Sequence, residues 1–176
     1  MHAVHLTRRF FGSVFARSLA PDEIDWVAST LTPAEFEVWR RQPRYDLRHS
    51  FGVARRVEQA LGPAAESRWL AAALVHDVGK VEARLGIAGR VLATIFMIVR
   101  GRAAVRAWRD RPGWRGRFGR YADHGPIGAA MLRAAGARAV PARWAEVHHQ
   151  ANADHLGTGL DLPEAVVLVL RDSDRD

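Results

Sequence analysis

Apolar residues recur at helical spacing through nearly every long segment of this 176-residue chain, and no stretch alternates apolar and polar residues convincingly enough to read as a strand. That periodicity points to an all-α fold in which each helix buries one stripe. The same stripes carry imidazoles and carboxylates. His49 shares its stripe with Val53, Val57 and Leu61, His76 continues Trp69 and Ala73, and Asp77 continues Leu70 and Leu74. His124 leads Ile127, Gly128 and Met131, His148 follows Trp144 by four, and Asp174 follows Val166 and Leu170. A lone histidine on an apolar face is usually a hydrogen-bonded core residue. Several imidazoles and two carboxylates aimed at one core are costly unless something pairs with them, and a divalent metal with two sites is the economical partner.

Proline, glycine and capping residues divide the chain into helices. Pro21 opens one, and Thr32-Pro33-Ala34-Glu35 opens the next with a capping box and a proline in its first turn. Further helices are expected at 45–61, 64–78, 89–108, 122–135, 141–150 and 162–172. No repeat or low-complexity linker interrupts them. The expected organisation is one structural unit, with residues 1–44 as a helical extension packed on a core formed by residues 45–176.

The chain has no cysteine, which excludes a disulfide framework, thiol catalysis and cysteine-based zinc sites. Any metal must be held by histidine and carboxylate, and a reducing, cytoplasmic setting is expected. The start, Thr7-Arg8-Arg9-Phe10-Phe11, resembles a twin-arginine signal, but Arg17 and Pro21-Asp22-Glu23 interrupt the apolar stretch that export needs. The most apolar run, residues 91–99, is nine residues long, against the ~20 that cross a bilayer, so a buried helix is expected there.

Of the 26 basic side chains one is lysine, Lys80, which lies three residues after Asp77. A flexible ammonium at that point suits a phosphate contact. The net charge of +7 is concentrated: Arg100, Arg102, Arg106, Arg109, Arg111, Arg115, Arg117 and Arg120 face one acid, Asp110, within residues 100–120. Trp108, Trp114 and Phe118 interleave with them. Such a segment is either a solvated loop and helix face or a surface for nucleic acid, an anionic membrane or an anionic substrate.

Arg48-His49, His76-Asp77-Val78-Gly79-Lys80, His124-Gly125-Pro126-Ile127-Gly128-Ala129, His148-His149 and Ser173-Asp174 follow one another in this order. The series resembles the HD superfamily of metal-dependent phosphohydrolases over residues 45–174. The resemblance implies an orthogonal helical bundle with a central metal site. His49, His76, Asp77 and Asp174 match the minimal one-metal pattern, with Asp172 as the other candidate for the last ligand. His124 and the His148-His149 pair resemble the multi-metal branch that includes the HD-GYP phosphodiesterases, with Asp77 bridging. Gly157-Thr158-Gly159 stands where those proteins have Gly-Tyr-Pro.

The activity so implied is hydrolysis of a phosphomonoester or phosphodiester, with a nucleotide-like substrate, by metal-activated hydroxide attack at phosphorus. Two divalent cations are expected, from among Fe, Mn, Zn, Ni and Mg. Asp77, Lys80 and Arg48 are the expected catalytic residues, Lys80 and Arg48 as phosphate contacts. Arg48 can equally form a surface ion pair, and His149 can bind the second metal or orient His148. The alternative is an HD-fold binding or sensor module that contacts nucleotide, nucleic acid or an anionic membrane through residues 100–120, with little turnover. On that basis the protein is expected to be cytoplasmic or peripheral at a membrane.

Overall fold

The computed structural model describes residues 17–149 and 162–175. In order they form α1 (Pro21–Thr30), α2 (Pro33–Trp39), α3 (Arg44–Leu61), α4 (Ser67–Val75), α5 (Ile87–Arg100), α6 (Arg102–Arg106), α7 (Gly113–Ala122), α8 (His124–Ala134), α9 (Ala139–Val147) and α10 (Glu164–Arg175). Short 3-10 segments lie at Gly62–Ala64 and Val78–Ala83. No strand occurs among the described residues, and the class is all-α as expected. His2, His5, His155, the Thr7-Arg8-Arg9 run and Gly157-Thr158-Gly159 lie outside them.

The central element is α4. Trp69, Leu70, Ala71, Ala72, Ala73, Leu74 and Val75 are all buried, and a helix apolar on every side must be enclosed by others. It packs between α3 and α9, with α1, α2 and α10 also against it. Val27 and Leu31 near α1, Val38 and Trp39 of α2, and Val166 and Leu170 of α10 join the same core, so the N-terminal helices share it. A second cluster unites Ala83, Leu85, Ala93, Val105, Phe118 and Ala122 from the Val78–Ala83 segment, the loop after it, and α5, α6 and α7.

Local chemistry sets the helix starts. Thr32 accepts from the Glu35 N–H at 3.3 Å and Glu35 accepts from the Thr32 N–H at 3.0 Å, forming the expected capping box. Glu35 is fully buried, and the Arg138 guanidinium holds its carboxylate at 2.7 Å, tying α2 to the start of α9. The Val78–Ala83 segment lies backbone to backbone against α8. A Cβ on Gly79 would stand 2.0 Å from the His124 carbonyl oxygen and 2.5 Å from the Gly128 nitrogen. Only two glycines facing each other allow that approach.

Four expectations about the elements are corrected. The helix expected over 64–78 ends at Val75, and Val78–Ala83 is a separate 3-10 segment. The helix expected over 89–108 breaks at Gly101, whose φ of +83° caps α5 and separates it from α6. Residues 113–122, within the segment read as a loop or helix face, form a helix of their own, α7, which begins after Pro112 and buries Phe118. The apolar run 91–99 is helical but not enclosed. Within it Ala93 is buried, whereas Leu92, Ile95, Ile98 and Val99 are exposed, because α6 and α7 cover only one side of α5.

Removing Arg138 strands a buried carboxylate. Arg138→Ala should cost about 3–5 kcal/mol of unfolding free energy by chemical denaturation, the scale for breaking a buried pair from one side. A loss no larger than that of an exposed ion pair would contradict this role for Glu35.

Candidate metal centre

The end of α4 delivers the first candidate donors. At its end the backbone leaves the helix, with His76 still near helical φ/ψ and Asp77 at φ −105°, ψ 4°, so the two adjacent side chains enter one buried space. His76 and Asp77 are 1 % and 2 % exposed. α3 contributes His49, α8 contributes His124 at its first position, the end of α9 contributes His148 and His149, and α10 contributes Asp174.

These donors form two groups that share one carboxylate. In the first, His49, His76 and Asp77 offer ligand atoms that all lie within 4.8 Å of one another, and in the second Asp77, His124, His148 and His149 do the same. Asp174 adjoins the first group, with Oδ1 3.1 Å from His49 Nε2 and 3.3 Å from His76 Nε2. Asp77 divides its oxygens. Oδ1 lies 3.1 Å from His124 Nε2 and 3.6 Å from His148 Nε2, while Oδ2 lies 3.3 Å from His76 Nε2 and accepts from the Lys80 ammonium.

The far sides of the rings are already committed. Nδ1 of His76, His124 and His148 meets the carbonyl three residues back, on Ala73 at 2.8 Å, Tyr121 at 2.7 Å and Ala145 at 2.9 Å. A carbonyl only accepts, so each Nδ1 carries hydrogen. In a neutral ring that leaves Nε2 as a lone-pair donor facing the centre. His76 Nε2, His148 Nε2 and Asp77 Oδ1 are buried and make no hydrogen bond. Buried polar atoms left without a hydrogen bond, converging from separate helices, fit a cation as their common partner.

The electrostatics agree. Burial raises the Asp77 carboxyl, but the Lys80 and His76 charges and the His124 and His148 imidazoles beside it hold it well below the usual carboxylate range. Asp174 is likewise held low against burial by His76 and His49. Burial pushes His124 down to about 4 and lowers His49. His149 is also lowered, by burial of its inner edge and by His148, His124 and Arg102 around it. Its Nε2 lies 2.8 Å from that of His124. His76 goes the other way: burial opposes its charge, yet Asp77 and Asp174 beside it raise it to about 10.

The structure brings together His49, His76, Asp77, His124, His148, His149 and Asp174, along with Lys80. Asp172 is exposed and approaches Arg175 instead. Arg48 is also elsewhere: its guanidinium is held by Glu23 at 2.6 Å and by the Ser18 carbonyl at 2.7 Å, so it forms the surface pair rather than a phosphate clamp. Lys80 is not free at a rim, since its ammonium rests on Asp77 Oδ2.

Two arginines near the site were not expected from the sequence. Arg56 of α3 donates to the Ser173 carbonyl at 2.7 Å and 3.0 Å, fixing the last turn of α10 and with it Asp174. Its partner is 117 residues away, so no local pattern marks it. Arg102 opens α6, donates to the Ala122 carbonyl at 3.1 Å, and is near enough for Asp77 and His149 to feel its charge.

A cation entering the first group must displace the proton on His76. Because Asp77 and Asp174 raise that imidazole well above the ordinary histidine range, metal affinity should keep rising with pH between about 7 and 8.5, where an ordinary imidazole has already lost its proton. Mn2+ titration calorimetry across that range checks this, and an affinity that levels off near pH 7 would contradict it.

No family model, no curated protein and no solved structure matches the chain.

Proposed function

We propose that this protein is a metal-dependent phosphohydrolase of the HD type that binds two divalent cations on either side of Asp77 and cleaves a phosphomonoester or phosphodiester. The observation that carries the reading is the division of Asp77 between two histidine groups. A purely structural site needs one closed ligand set, whereas a carboxylate shared by two sets suits a pair of cations. When bound, such cations supply positive charge that acidifies a water and neutralises phosphoryl oxygens.

The residues divide the remaining work. His49, His76 and Asp174 would hold one position, and His124, His148 and His149 the other, with their orientation set by the Nδ1 contacts and by Arg56. The Lys80 ammonium, held on Asp77 Oδ2, keeps that carboxylate ionised and places a positive charge beside the centre, suited to a nonbridging phosphoryl oxygen. Arg102 takes the part expected of Arg48, a second cation facing the anionic substrate. Zinc, manganese, iron, nickel and magnesium all suit a mixed imidazole and carboxylate set.

Metal analysis of the purified protein, followed by hydrolysis of bis(p-nitrophenyl) phosphate and p-nitrophenyl phosphate, tests the reading. About two divalent ions per chain are expected, and His76→Ala or Asp77→Ala should lose both metal and hydrolysis. Wild-type metal content in both variants would overturn it. Lys80→Ala should retain metal and lose rate by about 10²-fold, the scale for one charge-stabilising donor. Arg48→Ala should leave the metal content and the rate unchanged.

A further inference from the structure

The outer face of α5 carries a stripe with no structural role in the described fold. Leu92, Ile95 and Val99 fall at helical spacing, Ile98 lies beside them, and they are 52 %, 46 %, 74 % and 66 % exposed. Packing is satisfied on the opposite side, where Ala93, Phe96 and Met97 meet the second core cluster. Trp114 lies against Phe96 at 5.7 Å between ring centroids and is itself 49 % exposed, so an indole flanks the same helix. Four large aliphatic side chains on one helix face exceed the scattered exposure of an ordinary surface.

Cations border this stripe. α5 ends at Arg100 and leads into the segment in which eight arginines face one acid. Several of them serve the fold: Arg106 and Arg109 hold the buried Asp123 at 2.8 Å and 2.9 Å, while Arg117 and Arg120 bond the carbonyls of Ala83 and Glu82. Arg100, Arg111 and Arg115 are exposed and form no ion pair among the described residues. Arg115 stacks over Trp114.

We propose that this face of α5, with Trp114 and the surrounding arginines, is a docking surface for an anionic lipid bilayer. The helix would lie in the interface plane with Leu92, Ile95, Ile98 and Val99 among the upper acyl chains and the guanidinium groups at the phosphates. Charge and apolarity together select this occupant. A second copy would bring two segments of excess +7 side by side, and like charges at an interface repel. Nucleic acid satisfies the arginines but leaves the aliphatic stripe in water, since bases recruit aromatic rings and donors rather than isoleucine and valine. α5 has 14 residues, and no helix among the described residues is long and apolar enough to span a membrane, so the contact is peripheral.

Vesicle co-sedimentation of the full chain tests the surface. The wild type should pellet with phosphatidylcholine vesicles containing about 30 % phosphatidylglycerol, much less with phosphatidylcholine alone, and progressively less as salt rises. Ile98→Ser with Val99→Ser removes apolar surface without changing charge at highly exposed positions. It should weaken binding at least tenfold while leaving the thermal midpoint unchanged. Arg111→Glu with Arg115→Glu should weaken it as well. Any of three results would overturn the proposal: no sedimentation of the wild type; unchanged binding of the serine pair, which marks adsorption by charge alone; or a wild-type dimer in light scattering that the serine pair turns into a monomer.

Discussion

One buried carboxylate organises the centre of this protein. Asp77 is 2 % exposed and ionised, and a charge so placed must be met from every side or be neutralised. Lys80 and three imidazoles, from His76, His124 and His148, surround it. Their positions fix those of α8 and α9 relative to α4. Gly79 lets this happen, because the turn that carries Asp77 touches the α8 backbone where any side chain would hold it off. The helical core and the site are therefore not separable layers. The enclosed α4 ends where the chain hands two polar side chains, His76 and Asp77, to the middle of the bundle.

Much of this was legible because helical spacing relates sequence to direction. His49, His76, Asp77, His124, His148 and Asp174 each continue an apolar stripe, and a stripe that points to the core takes its polar members along. The capping box at Thr32 and Glu35 was equally plain, since its partners are three residues apart. What stayed hidden depends on partners distant in sequence. Arg48 adjoins His49, but side chains one apart on a helix face different ways, and Glu23 captures its guanidinium. Arg56 and Arg138 look like any surface arginine until α10 and α2 fold onto them. The break at Gly101 leaves no mark in the sequence, because one glycine within an apolar helix is tolerated unless its φ is positive.

The apolar run at residues 91–99 gives a sharper lesson. Periodicity identifies a helix with an apolar face but cannot count how many faces a neighbour covers. Here Ala93, Phe96 and Met97 satisfy the inner side, and Leu92, Ile95, Ile98 and Val99 are left over. The chain carries its concentrated positive charge just beyond Arg100, and Arg102 at the start of α6 is near enough for Asp77 and His149 to feel its charge. The short helix α6 therefore connects the exposed end of α5 to the neighbourhood of the histidine cluster through Arg102.

The central claim is that Asp77 lies between two cation positions. Anomalous diffraction from crystals grown with Mn2+ tests it most directly. Two peaks are expected, one among His49, His76, Asp77 and Asp174 and one among Asp77, His124, His148 and His149, with Asp77 common to both. A lone peak that Asp77 does not touch, or no peak at this cluster in metal-saturated crystals, would contradict the account.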